Sequence, residues 1–323
     1  MKGITFLIII LSLPWIDHTL ETDQAPQDFA PFSQEIPGSD LSIDMMPVPG
    51  GTFTMESAET PSKRDVLVDD FWMGTYEITW QQYDLFTKEV VSRLSDYAPH
   101  PDGDVQISAD AIALPTPPYV DMSFGMGRDG YPAINMTHYA AVMFTKWLTA
   151  KTGVFYRLPT EAEWEFACRS GASDEAGEPD RLDEYEWHQG NSGGSYNKIG
   201  TRKPNSIGLN DMKGNVAEWT TDQYLEDYLE QLEGEVADNP WFKPTALYPR
   251  AVRGGSWRDE PEEIGCTQRR GSRENWKMLD PQFPKSLWWH TSAPFLGFRI
   301  VRPVAAPSAE AIEEYWIGPM EDL

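Results

Sequence analysis

Cysteine and histidine are scarce in this chain: among 323 residues there are two of the first and five of the second. The histidines, His18, His100, His138, His188 and His290, are scattered, and no two have the spacing of a metal-ligand pair. Basic residues are also short, with 26 Lys and Arg against 51 Asp and Glu, a net charge of −25. That balance argues against nucleic acid or an anionic membrane as partner. It leaves carboxylates for a hard cation, or simply makes the surface acidic. The phosphate-cradling glycine loop, the G-x-S-x-G elbow and H-E-x-x-H are all missing. No apolar run is long enough for a stable membrane span. The longest follows one Lys within MKGITFLIIILSLPWI, residues 1–16, and fits the core of a secretory signal ending near residue 19. An uncleaved N-terminal anchor is the alternative, and with no Cys just after the run a lipid-anchored form is not expected. Export, periplasmic or extracellular, implies an oxidising compartment in which Cys168 and Cys266 read as one disulfide.

What the chain does have is 13 Trp, 26 Pro and 25 Gly, a composition of many loops pinned by aromatic side chains. Residues 20–44 are acidic, Pro-rich and aperiodic and read as a linker. The domain is expected over 45–303, with a polar C-terminal tail at 304–323. Order begins in MMPVPGGTFTM (45–55), and VLVDDFWMGTYEIT (66–79) alternates like a strand. Thr79 caps a helix with Trp80, Tyr83 and Phe86 along one face. Residues 95–130 form a long loop or insertion. Thr137 starts a second helix that Gly153 stops. Thr160 with Glu163 is a capping box, and Trp164, Ala167 and Cys168 make the buried side of that third helix. A second acidic insertion, about 222–249, precedes AVRGGSWRDEPEEIGCTQRR (251–270), in which two strand-like pieces flank a bend. Gly254 and Gly255 there permit positive φ or a close backbone approach. PFLGFRIVRP (294–303) closes the domain. Few helices, many short strands and long loops favour α+β.

The runs PVPGGTFTM, FWMGTYEIT, RLPTEAEWEFACRSG, GLNDMKGNVAEW, VRGGSW and LGFRIVRP together resemble, in order, the formylglycine-generating enzyme (sulfatase-modifying factor domain) family. The resemblance covers about Met45 to Pro303. It implies one α+β domain of the formylglycine-generating-enzyme fold, a C-type lectin-like variant with little regular structure and long loops. Well-known members oxidise a sulfatase cysteine with O2 and copper, through two thiolates just after the Gly-Gly-Ser-aromatic motif. Soft sulfur suits Cu(I). Here Asp259 stands at the first of those positions and the second has no counterpart, so the resemblance implies no copper. The same alignment gives Cys168 and Cys266 the positions of a structural disulfide.

The GLNDMKGNVAEW run resembles a calcium site of the family. Mapped onto this chain, it takes carboxylates from Asp211 and Glu218 and backbone carbonyls from Gly214 and Val216; oxygen donors around a Gly turn suit Ca²⁺. A solvated acidic turn is the alternative. The family cleft implies Ser256, Trp257, Asp259, Arg269 and His290 as candidate ligand-binding residues. Arg269, Arg270 and Arg273 would bind an anionic group there, or pair with local acids such as Glu262 and Glu263. Three functions stay open: a non-oxidase binding or accessory protein for a peptide, glycan or protein; an enzyme with non-thiol chemistry; a structural component of an envelope complex. Formylglycine production ranks behind them.

Overall fold

The chain was described from a computed structural model, which defines residues 29–56, 62–88, 113, 115–170 and 181–316. The expected signal segment, His18, His100 and most of the first insertion lie outside the described residues. Residues 31–323 group as one unit, and the other grouping, Met1–Ala30, is almost wholly outside the described residues.

β1 (Phe32–Glu35) and β2 (Ser42–Val48) come first, then β3 (Gly51–Glu56) and β4 (Lys63–Val68), an antiparallel hairpin, and β5 (Phe71–Gly74). β5 pairs with β2 on one side and, on the other, with β11 (Val301–Pro303), so both ends of the fold meet in the sheet β1-β2-β5-β11. Part of the stretch read as linker is therefore folded. Its β1 has an alternating half-buried pattern, and at a sheet edge only one face needs apolar cover.

Helices follow where the caps placed them. α1 spans Trp80–Lys88 with Trp80, Tyr83 and Phe86 buried. α2 spans His138–Thr152; the Thr137 side chain accepts from the Ala140 N–H, and Gly153 ends the helix at φ 69°. α3 spans Glu161–Ser170. Its box is closed on both sides, with Thr160 N–H donating to Glu163 Oε2 at 2.8 Å and Glu163 N–H to Thr160 Oγ1 at 3.1 Å. Arg157 adds a two-pronged pair to the same Glu163. After the short α4 (Leu182–Tyr185), β6 (Ala217–Gln223), β7 (Val236–Asp238), β8 (Arg250–Gly254), β9 (Gly265–Gly271) and β10 (Leu296–Gly297) complete two further sheets, β10-β6-β8-β9 and β3-β4-β7. The 304–323 stretch read as a polar tail contains α5 (Ala309–Trp316), whose Ile312 and Trp316 are buried.

Two packed groups hold these layers. Val48, Val66, Phe71, Met73, Trp164 and Met212 gather under α3. Around Tyr83 an aromatic cluster joins Phe86, Phe144, Trp289 and Phe298 at centroid distances of 5.7–6.1 Å, each such ring adding about 1 kcal/mol beyond its burial. Among the described residues no helix is long and apolar enough to cross a membrane.

Candidate functional site

β8 and β9 are antiparallel, with Arg253 opposite Arg269 and Val252 opposite Arg270. The turn that leaves β8 needs glycine twice. Gly254 and Gly255 have φ of 92° and 83°. A Cβ on Gly255 would stand 2.6 Å from Ile264 Cγ2, and one on Gly254 2.8 Å from the Met212 carbonyl oxygen. The turn delivers Ser256 into the interior. Its hydroxyl donates to Asp259 Oδ2 at 2.7 Å, while Arg270 Nη2 donates to Asp259 Oδ1 at 2.9 Å. Trp257 is held by its indole N–H on the Pro294 carbonyl at 3.1 Å.

Asp259 borders an open recess with Arg258, Arg270, Arg273, Trp276 and Phe295. The Arg258 guanidinium lies 3.5 Å from the Phe295 ring centroid and that of Arg270 lies 5.4 Å away. Three guanidiniums against one carboxylate make a locally positive patch on a chain of net charge −25.

The alternation of β9 separates its two arginines. Arg270 faces the recess, whereas Arg269 faces α3 and binds Glu161 through Nε at 2.6 Å and Nη2 at 2.8 Å. Arg269 is thus a core ion-pair residue, and Arg270 takes the place expected of it. His290 is likewise not in the open recess. It is 3% exposed, packed against Trp219, Trp276 and Tyr248, and borders a second, more enclosed recess behind Trp276. Burial, with Lys277 nearby, lowers its pKa to about 3, so the ring is neutral.

Cys168 of α3 and Cys266 of β9 are bonded to each other, with Cα atoms 5.6 Å apart. Both cysteines are consumed.

The expected calcium positions fall on the loop before β6 and on β6 itself. Asp211, Asn215 and Gly214 all have positive φ (56°, 49° and 154°), so the loop turns tightly. Glu218, however, is already engaged. Arg299 Nε and Nη2 donate to its two oxygens at 2.7–2.9 Å, and the Trp164 indole N–H donates to Oε2 at 2.8 Å. Asp211 keeps one buried oxygen, Oδ1, without a hydrogen-bond partner, and so does neighbouring Glu77 through Oε2. Burial, opposed by the Gly200 N–H on its other oxygen, raises the Asp211 pKa to about 6; burial and the Asp211 charge raise that of Glu77 well above the usual range. Two partnerless carboxylate oxygens suit a cation or a shared proton, and Glu218 joins a cation only if the Arg299 pair opens. Among the described residues no three His, Cys, Asp or Glu side chains are grouped to hold a metal.

Arg250, on the second recess, and Arg299 carry much of the buried electrostatics, and neither stands out in the sequence. The GFR run within the closing strand was the one available sign for Arg299.

Comparison with known proteins places this geometry. A Chlamydia pneumoniae protein named serine/threonine-protein kinase pkn1 is 25% identical over 240 residues, which cover 71% of this chain and 35% of that protein. The chain therefore spans about a third of the length of the kinase relative it matches. Mouse formylglycine-generating enzyme is 27% identical over 258 residues, 66% of each chain. The solved structure of Treponema denticola variable protein 1 superposes with a TM-score of 0.60 at 19% identity, over 84% of this chain and 99% of that one, which establishes the shared fold. The profile of the sulfatase-modifying factor enzyme 1-like domain matches residues 35–304. This chain belongs to the sulfatase-modifying factor family.

Proposed function

We propose that the chain is an exported, non-oxidase member of its family, which binds a peptide, glycan or protein through an anionic group held in the open recess. The observation that carries this reading is the environment of Asp259. At a position where family resemblance expects a copper-binding thiolate stands a hard carboxylate, a poor ligand for Cu(I), already accepting from Ser256 and Arg270. With Cys168 and Cys266 bonded together, no thiolate remains to share copper. Ser256 is fully buried and meets no substrate as a nucleophile. Arg258, Arg270 and Arg273 remain, above a floor of Trp276 and Phe295. Guanidiniums suit forked recognition of carboxylate, sulfate or phosphate, and the aromatic floor suits the carrier of that group.

The test has two arms. Purified chain supplied with Cu(I), O2 and a cysteine-containing sulfatase peptide should yield no formylglycine by mass spectrometry. A fluorescent hexaglutamate peptide should bind with salt-dependent affinity, at least tenfold weaker after Arg258→Ala with Arg273→Ala. Formylglycine in the first arm would overturn the reading, as would binding in the second that ignores both substitutions.

A further inference from the structure

The second recess lies on the far side of Trp276 from the open one. It is a small recess, partly enclosed and continuous with bulk water, with room for a compact molecule only. Its walls are largely aromatic and aliphatic, with Tyr139, Val142, Trp219, Leu247, Leu287 and Trp316. Its charged side chains are of one sign, beside the hydroxyls of Thr137, Thr221, Tyr248 and Ser272. Arg250 and Lys277 supply two cations, His138 and His290 supply two imidazoles, and among the described residues no Asp or Glu lines it.

Arg250 is the anomaly. It is 3% exposed, and its Nε and Nη1 are buried with no hydrogen-bond partner. Among the described residues the three other arginines buried to this degree each hold a carboxylate: Arg157 holds Glu163, Arg253 holds Glu165 and Arg299 holds Glu218. Arg250 holds none, and burial lowers its pKa to about 10 with no opposing acid. A guanidinium withdrawn from water without an anion is costly. Two further groups facing the recess also lack partners, His290 Nδ1 and the Trp316 indole nitrogen. α2 starts there too: its first residues, His138 and Tyr139, line the recess, and its first turn has no acidic side chain. Its positive end adds to the same sign of potential.

We propose that this recess is a binding site for a small organic carboxylate, whose charged end pairs with Arg250 and whose apolar body rests against Trp219, Leu247 and Trp316. The carboxylate supplies the acceptor that Arg250, which can only donate, lacks. The site is separate from the Arg258–Arg273 recess of the proposed partner, and either can exist without the other.

The experiment uses the full chain with benzoate and hexanoate as probes, benzamide and hexanamide as neutral isosteres, and inorganic phosphate. Binding is read by calorimetry and by tryptophan emission, to which Trp219 and Trp316 should report. At least one carboxylate should bind saturably, at least tenfold tighter than its amide and than phosphate. Arg250→Met should abolish that preference and melt no lower than wild type without ligand, because it removes a buried charge that has no partner. Leu247→Trp should exclude the probes while leaving Arg250 in place, and Arg273→Ala should leave their binding unchanged. The proposal is overturned by the absence of saturable binding, by equal affinity for the amide or phosphate, by an Arg250→Met chain that binds like wild type, or by one that melts lower in buffer, which would make Arg250 a structural cation.

Discussion

Replacing Arg299 by Met should be among the most damaging single changes in the protein. The side chain is 0% exposed and Glu218 1% exposed. Arg299 binds both Glu218 oxygens and also donates to the carbonyls of Gly74 at 3.0 Å and Asn210 at 2.9 Å. Met has similar length and no charge. The substitution therefore leaves a carboxylate in the interior without its counter-ion and two buried carbonyls without a donor. Breaking a buried pair from one side costs about 3–5 kcal/mol, and each orphaned carbonyl adds about 1 kcal/mol or more. Glu77 and Asp211 aggravate the loss, because the Arg299 charge opposes the upward pull of burial on both. A loss of about 5–7 kcal/mol is expected from these terms. Urea unfolding of wild type, Arg299→Met, Glu218→Leu and the double variant measures it at unchanged slope. The double variant should cost clearly less than the sum of the singles, since it removes both charges. If Arg299→Met cost under about 1 kcal/mol, the pair would not be the buried strut inferred from these contacts.

Joint Cys168→Ala and Cys266→Ala substitution frees a loop with a sequence separation of 98 and should cost about 4–5 kcal/mol on the chain-entropy model; thiol labelling of the purified wild type under non-reducing conditions should find no free sulfhydryl. Stability should fall as pH rises through neutrality because of Glu186, whose burial raises its folded pKa to about 7. The extra proton bound by the folded state stabilises it fully below the unfolded value near 4.5 and is lost through about 7, on the order of 3 kcal/mol in all. Glu186→Gln should flatten that slope in urea melts at pH 5 to 8. Calcium on the Asp211 loop, with Glu77 supplying the second open carboxylate, predicts that EDTA lowers the melting temperature at pH 7.5 and that Asp211→Asn removes the response; an unchanged curve assigns the two oxygens a shared proton instead.

What could be read from residues alone was what depends on near neighbours in the chain. The Thr137 cap, the Thr160–Glu163 box and the glycines at 254 and 255 each carry their reason within a few positions, and each is found where expected. Arg269 and Arg270 are different. One turns to Glu161, far away in sequence, and the other to Asp259, and which is which depends on the phase of β9 against its neighbours. No local pattern sets that phase. His290 was placed near the right strand but on the wrong side of Trp276, a matter of packing depth. The pair of Glu218 and Arg299, 81 residues apart, was hidden for the same reason. α5 is the case where more was legible: Ile312 and Trp316 stand four apart in AEAIEEYW, a helical signal that the tail's polar composition obscured.

The Cys168–Cys266 bond has a bearing on how this family member can diversify. Cys266 is the second residue of β9, and Cys168 lies in α3, whose Glu161 holds Arg269. The strand is thus anchored at its start from outside the turn that leads into it. Residues can be gained or lost between Trp257 and Ile264 without the change passing into β9, because slippage would have to carry a covalent crosslink with it. Arg269 then keeps facing the interior and Arg270 the solvent side, whatever the length of the turn. The rim of the recess can be redrawn by insertion and deletion while its charged wall stays in phase, which gives the turn evolutionary freedom at small risk to the fold.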